Sequence, residues 1–388
     1  MKYDFDEIIE RHNTNSLKWD YFDSKYPMWV ADMDFNVLDD IKESIEKRSQ
    51  HQIYAYSIVI DDLFNAYVNW WDRRHDIKLD KNNLLFSTGV MPSINSIIRC
   101  LSDENDKIVI QTPVYHVFFN VILDNNRKVV ENELIYENNS YTIDFEKLES
   151  QLSLPDVKLM LLCNPHNPIG RIWTVDELER ILKLCNKYDV ILVSDEIHCD
   201  LVNPDLRYVP IFSLNGNLTE NVIMCMSPTK TFNVAGLQSS AVYTDNIKLF
   251  ELIQKQLRSD FYSMPNAFAV DATIAAFNKG DDWIDGLNEY LYNNKCIVYD
   301  FVDENNLDID VISSEATYLL WVDCSRLSIS ANDFYELLKN SYGLYVSPGI
   351  QFGKNGSDFI RINIACTKKV LLESLSILKE AIFLINNQ

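Results

Sequence analysis

Between about residues 84 and 245 the chain alternates short apolar runs with stretches of helical spacing, and this alternation limits its fold more than any other feature. The runs "NLLF", "KIVIQ", "KLMLLC", "DVILVS" and "NVIMCM" have strand length but lack the polar alternation of a half-solvated strand, so they read as parallel strands covered on both faces. Between them, Ile94, Ile97, Ile98 and Leu101, behind Gly89 and Pro92, form one core-facing helical stripe. Thr174 and Glu177 form a capping box ahead of a second stripe, Leu178, Ile181, Leu182 and Cys185. The implied fold is α/β, a large, doubly wound, mostly parallel sheet. From about residue 285 the pattern changes to an alternating strand "TYLLWVD", a helix near "ANDFYELLKN", a strand "FIRINIAC" and a terminal helix from about 367. That reads as a smaller α+β domain, which also takes in the amino-terminal segment. The expected division is 46–282 for the large domain and 1–45 plus 283–388 for the small one.

Composition narrows the function classes. With 47% hydrophobic and 24% charged residues over 388 positions, the chain is expected to fold throughout. A formal charge of −22, spread along the sequence, argues against nucleic acid, which needs clustered Lys or Arg. The start "MKYDFDEIIERHNTN" is acidic where a signal peptide is apolar, and no apolar run approaches the roughly 20 residues of a membrane span, so a cytoplasmic protein is expected. Eight cysteines are scattered without CxxC pairs or zinc-type spacing, which suggests reduced, buried side chains and no metal.

In open α/β sheets, ligands bind beyond the carboxyl ends of the strands. The polar clusters lie there: "STGV", "TPVY", "NPHNPIG", "SDEIH" and "SPTK" each follow an apolar run. In "TGVMPSI" the main-chain N–H groups of Val90 and Met91 open a helix, a place that suits a phosphate, and the hydroxyls of Ser227 and Thr229 could join them. Asp195 ends a strand and is either a helix cap or a desolvated acid in need of a partner. A metal site from Asp195, Glu196, His198 and Asp200 is the weaker reading, because the ligand spacing of known zinc motifs is missing. Taken with Lys230, Asp195 suggests pyridoxal 5′-phosphate, whose chemistry needs a lysine to form a Schiff base and an acid to hold a proton on the pyridine nitrogen. Tyr115 would be a shelf for the ring and Asn167 a donor to its phenolic oxygen. Arg361, opposite the apolar face of "FIRINIAC", could clamp a substrate carboxylate.

In that order, "NPHNPIG", "SDEIH", "SPTKTFN" and "FIRIN" resemble the fold-type I pyridoxal-phosphate enzymes of the aminotransferase class I/II superfamily. With "PMWVADMDF", "IYAYS", "WWDRRHDI", "TPVYHVF" and "SDEIHCDL" the chain is similar over essentially its whole length to the MalY/PatB subfamily of C–S β-lyases. The resemblance implies β-elimination of cystathionine or other cysteine S-conjugates to a thiol, pyruvate and ammonia. It implies Lys230, Asp195 and Tyr115 as catalytic groups, with Val90, Met91, Asn167, His198, Ser227 and Thr229 around the cofactor. Arg361, Asn167 and Asp32 would face the substrate. A homodimer with shared sites is implied too, Tyr56 reaching the other subunit's phosphate. One departure from the aminotransferase pattern is Gln238, which stands where a phosphate-binding Arg is frequent; another is the apolar segment "SIVIDDLF" after Tyr56. Two alternatives stay open: an aminotransferase of small or aromatic amino acids, and a regulatory protein that binds a transcription factor.

Overall fold

A computed structural model describes residues 3–22 and 24–386. Its centre is a seven-stranded sheet made from β1 (Leu84–Ser87), β2 (Lys107–Ile110), β3 (Lys128–Glu131), β4 (Val157–Cys163), β5 (Ile191–Asp195), β6 (Val222–Met226) and β7 (Ser240–Tyr243). The order across the sheet is β1-β7-β6-β5-β4-β2-β3. Only β7 runs against its neighbours, pairing antiparallel with both β1 and β6. The five runs read from the sequence are therefore strands, but "NLLF" sits at the edge beside an antiparallel partner. The four-residue β7 has the same apolar character as its neighbours, so nothing in its pattern reveals its direction. Because β1 still points the same way as β2, β4, β5 and β6, all five predicted loops emerge on one side. Register brings the last residues of the central strands level: Asp195 lies between Cys163 of β4 and Cys225 of β6.

Both faces of the sheet are covered, as the unbroken apolar runs require. On one face, helix Val90–Leu101 buries Ile94, Ile97 and Ile98 completely. On the other, helix Val175–Lys187 has the expected Thr174–Glu177 capping box and buries Leu178, Ile181, Leu182 and Cys185. Beside it lies an aromatic block, in which Trp70 of helix Asp61–His75 meets Phe277 and Phe232 at ring separations of 5.2 and 5.5 Å. Burying each such side chain contributes about 1.5–3 kcal/mol.

A second, antiparallel sheet of four strands is formed by β8 (Asp310–Val311), β9 (Leu319–Asp323), β10 (Ser347–Pro348) and β11 (Phe359–Asn363), in the order β8-β9-β11-β10. Helices Ala331–Tyr342 and Lys368–Asn386 lie where the sequence puts them. The alternation expected of β9 is absent from its burial, since all its residues are inside. The same holds for β11, whose polar side faces other parts of the chain instead of water. The loop "NPHNPIG" meets the segment before β9 at Gly170, whose φ is +69°. A Cβ there would stand 2.2 Å from the Ser314 hydroxyl, so glycine is required. The Gly170 carbonyl accepts from the N–H groups of Glu315 and Ala316, which fixes the loop carrying Asn167.

All eight cysteines are unpaired and six are buried. Among the described residues, no helix is long and apolar enough to cross a membrane.

Candidate active site

The loops that follow five strands of the large sheet meet around a cavity of about 210 Å³. One wall is the turn from Thr88 to Pro92 at the start of helix Val90–Leu101, and Tyr115, Asn167, Asp195, His198, Thr229 and Lys230 complete it. Eight expected cofactor residues thus share one space: Val90, Met91, Tyr115, Asn167, Asp195, His198, Thr229 and Lys230. Gly89 at the helix N-cap position brings no side chain to the first-turn N–H groups, which leaves them for an anion.

Asp195 is buried and is not a helix cap; its Oδ1 accepts one hydrogen bond, from the Ile197 N–H at 3.1 Å. Desolvation pushes its carboxyl up to about 7, against the pull of that N–H and of the Lys230 charge. A carboxylate so placed is stabilised by any cation or protonated nitrogen entering the cavity. Lys230 sits in the four-residue helix Pro228–Thr231 directly after β6. Its amine donates to the Ala31 carbonyl at 2.6 Å, and burial brings its pKa down to about 8, while Asp32 and Asp195 act in the other direction. A useful fraction is therefore an uncharged base near neutral pH. Burial also brings His198 down to about 3, so its imidazole is neutral, and its Nδ1 has no protein partner among the described residues.

Arg361 of β11 is 4% exposed and joins this group through Asn167, whose Oδ1 accepts from its Nη1 at 3.1 Å. Its Nη2 donates to the Trp29 carbonyl at 2.8 Å and to the Ser347 hydroxyl at 3.2 Å. The guanidinium lies 4.8 Å from the Phe352 ring centre, and burial lowers its pKa to about 10. Among the described residues no carboxylate pairs with it. A buried cation with only neutral partners is costly, and a bound carboxylate offsets that cost.

Three expected residues lie elsewhere. Ser227 stands behind the cavity, where its hydroxyl caps the Lys230 helix at the Thr229 N–H and donates to the Ser239 carbonyl at 2.6 Å. The Asp32 carboxylate is taken by Arg11, at 3.0 and 3.1 Å, with Lys18 at 3.5 Å. Tyr56 is 94% exposed and does not reach the cavity of its own chain. Of the acidic group after β5, Glu196 turns away to Ser194 and the Ile211 N–H, and Asp200 accepts from Trp70, Thr231 and His75. The sequence reading missed Ala31, whose contribution is a main-chain oxygen, and did not single out Thr88, Cys163 and Ile197, which line the cavity from within "STGV", "KLMLLC" and "SDEIH".

The free first-turn amides, the buried acid and the amine on one cavity fit pyridoxal phosphate. The aminotransferase class I and II family model matches residues 30–377. The chain belongs to that family. Cystathionine β-lyase PatB of Bacillus subtilis (strain 168) is 34% identical to it, the alignment covering 97% of this chain and 99% of the relative. Cystalysin from Treponema denticola, solved with pyridoxal 5′-phosphate, is 32% identical with a TM-score of 0.94 over 98% of this chain and 99% of that one. A pyridoxal-phosphate-bound protein of Clostridium difficile 630, provisionally named an aminotransferase, is 40% identical with a TM-score of 0.95, covering 98% and 100%. Within the family the chain belongs with the MalY/PatB C–S β-lyases.

Proposed function

We propose that this chain is a pyridoxal-phosphate-dependent C–S β-lyase acting on cystathionine or related cysteine S-conjugates. The observation that carries the reading is the meeting of Lys230 and Asp195 on one cavity, with the carboxylate-free Arg361 hydrogen-bonded to Asn167 of its wall, in a relative of PatB and cystalysin. The net reaction takes a cysteine S-conjugate and one water to a thiol, pyruvate and ammonium.

Bound pyridoxal phosphate supplies a ring that accepts the electron pair left at the substrate Cα. Lys230 anchors the cofactor and then, as a free amine, takes the Cα proton. Asp195 would hold a proton on the ring nitrogen, and Tyr115 would support the ring. Asn167 and His198 would hold the phenolic oxygen, while Val90, Met91 and Thr229 would bind phosphate, with Ser227 holding Thr229 in place. Arg361 grips the substrate α-carboxylate beside Asn167. Arg361→Met is expected to lower kcat/KM by at least about thirtyfold, the lower end of the 2–5 kcal/mol lost when a buried charge pair is broken. A loss below threefold would remove Arg361 from the substrate site. Formation of pyruvate from cystathionine with no keto acid present separates the lyase from an aminotransferase, which would need that acceptor.

The same reading makes the protein a homodimer with shared sites. Ile53, Tyr54, Tyr56 and Ile58 are exposed in a row that a second copy would cover. Tyr56 would then reach the partner's phosphate. Mixing inactive Lys230→Ala with Tyr56→Ala chains should rebuild one intact site per mixed dimer, about a quarter of wild-type activity at random pairing. No gain over the separate variants would count against sharing. Cytoplasmic residence, in keeping with the unpaired cysteines, and the division at 46–282 against 1–45 plus 283–388 belong to this proposal.

A further inference from the structure

We propose that Arg11, Lys18 and Asp34 form a clamp that holds residues 29–33 as a strap across the active site, and that this strap positions both Lys230 and Arg361. The inference rests on the roles just proposed for those two residues.

The strap has no helix or strand of its own, yet its carbonyl oxygens meet the polar groups of the site one after another. Trp29 O accepts from Arg361 at 2.8 Å and from the Ser347 hydroxyl at 3.2 Å. Ala31 O accepts from the Lys230 amine at 2.6 Å and from the Tyr318 hydroxyl at 2.9 Å. Between them, the Asn363 amide donates to Val30 O at 2.6 Å and to Asp32 O at 2.7 Å. One short segment thus fixes the distance between the amine that moves the Cα proton and the guanidinium that holds the carboxylate. Irregular backbone of this kind has no hydrogen-bond ladder to define it, so its place is set by what grips its ends.

At the carboxyl end Asn233 pairs with the Met33 main chain, accepting from its N–H and donating to its carbonyl at 2.9 Å each, and the rest of the grip is largely ionic. Asp34 is 8% exposed and accepts from Arg11 at 2.6 Å, Lys18 at 2.8 Å and the Trp19 indole at 2.9 Å. Arg11 also spans both oxygens of Asp32 and donates to the Met33 carbonyl at 3.1 Å and the Ser16 hydroxyl at 3.0 Å. Lys18 is 1% exposed, and its carbonyl accepts from the Trp29 indole at 3.1 Å. Buried charges of this kind are weak sources of stability compared with apolar packing, but the two-pronged Arg–carboxylate contact fixes orientation. The Asp-x-Asp of "WVADMDF" is then neither a substrate ligand nor a cation site: both carboxylates face the clamp.

The test uses the holoenzyme and Arg11→Met, with Arg11→Lys as the conservative variant. Amide hydrogen exchange over residues 28–34 should rise by about tenfold or more in Arg11→Met, with the sheet unchanged. Per mole of bound cofactor, kcat/KM for cystathionine should fall by about ten- to a hundredfold, since a displacement near 1 Å of reacting groups has effects of that size. Arg11→Lys keeps the charge but loses the two-pronged contact, and should fall between the two. A change that lowers only melting temperature or cofactor content, with kcat/KM per bound cofactor within threefold of wild type, would overturn the proposal. So would unchanged exchange over 28–34. Failure of the lyase reading would look different: wild-type holoprotein would release no thiol, and the exchange of the strap would then decide the clamp alone.

Discussion

Replacing Lys230 by Ala should leave a folded protein that still binds pyridoxal phosphate weakly and releases thiol from cystathionine about 10³–10⁴-fold more slowly, the upper part of the span of a lost general acid–base group. The fold should tolerate the change because the short helix carrying Lys230 is held by the Ser227 cap and by its neighbours, not by the amine. Removing the amine also removes an ammonium that burial disfavours. What disappears is the amine of the cavity wall whose pKa, brought down to about 8, lets it take a proton from carbon and return it near neutral pH. Thiol release followed with a thiol-reactive dye, normalised to bound cofactor, checks this. A rate within tenfold of wild type would mean that another residue moves the proton.

Asp195→Asn should show the second-largest loss, about 10²–10³-fold in kcat, the size found when a group stabilising developing charge is removed. Asparagine keeps the shape and can still accept from the Ile197 N–H, so packing is preserved. It cannot hold a proton on a ring nitrogen. The same substitution has an opposite effect on the cofactor-free chain. The Asp195 carboxyl is raised to about 7 when folded and titrates in the ordinary carboxylate range when unfolded, so between those values the native state binds the extra proton. Wild-type stability from this group is then lost as pH rises through that interval. Cofactor-free Asp195→Asn should melt higher than cofactor-free wild type at pH 8, with the difference shrinking at pH 4. Equal melting at both, with kcat unchanged, would mean that Asp195 is solvated and has no part in catalysis.

Much of the site was legible because its residues follow apolar runs. Asp195 ends a buried strand and Asn167 and Lys230 stand just past others, and the parallel sheet delivers such positions to one edge whatever the loops do. Arg361 was legible for a related reason: a charge on a strand whose other face is apolar must either meet water or be buried for a purpose, and here it is buried. Strand β7 was not legible, since its four buried residues, Ser240–Tyr243, carry no mark of direction. Nor was the destination of Asp32, because its partner Arg11 is 21 residues away across an irregular segment. Ala31 contributes only a carbonyl oxygen, which any residue has, so no side-chain pattern could point to it. Tyr56 lies outside the cavity of its own chain, in a row of exposed apolar side chains.

The central claim is that Lys230 is the residue joined to the cofactor. Reducing the purified holoprotein with borohydride, digesting it and locating the modified peptide by mass spectrometry tests that directly. The expected result is a single phosphopyridoxyl group on the peptide containing "SPTKTFN", at Lys230. A modification at any other lysine, or a protein that takes up no cofactor to be reduced, would contradict the account.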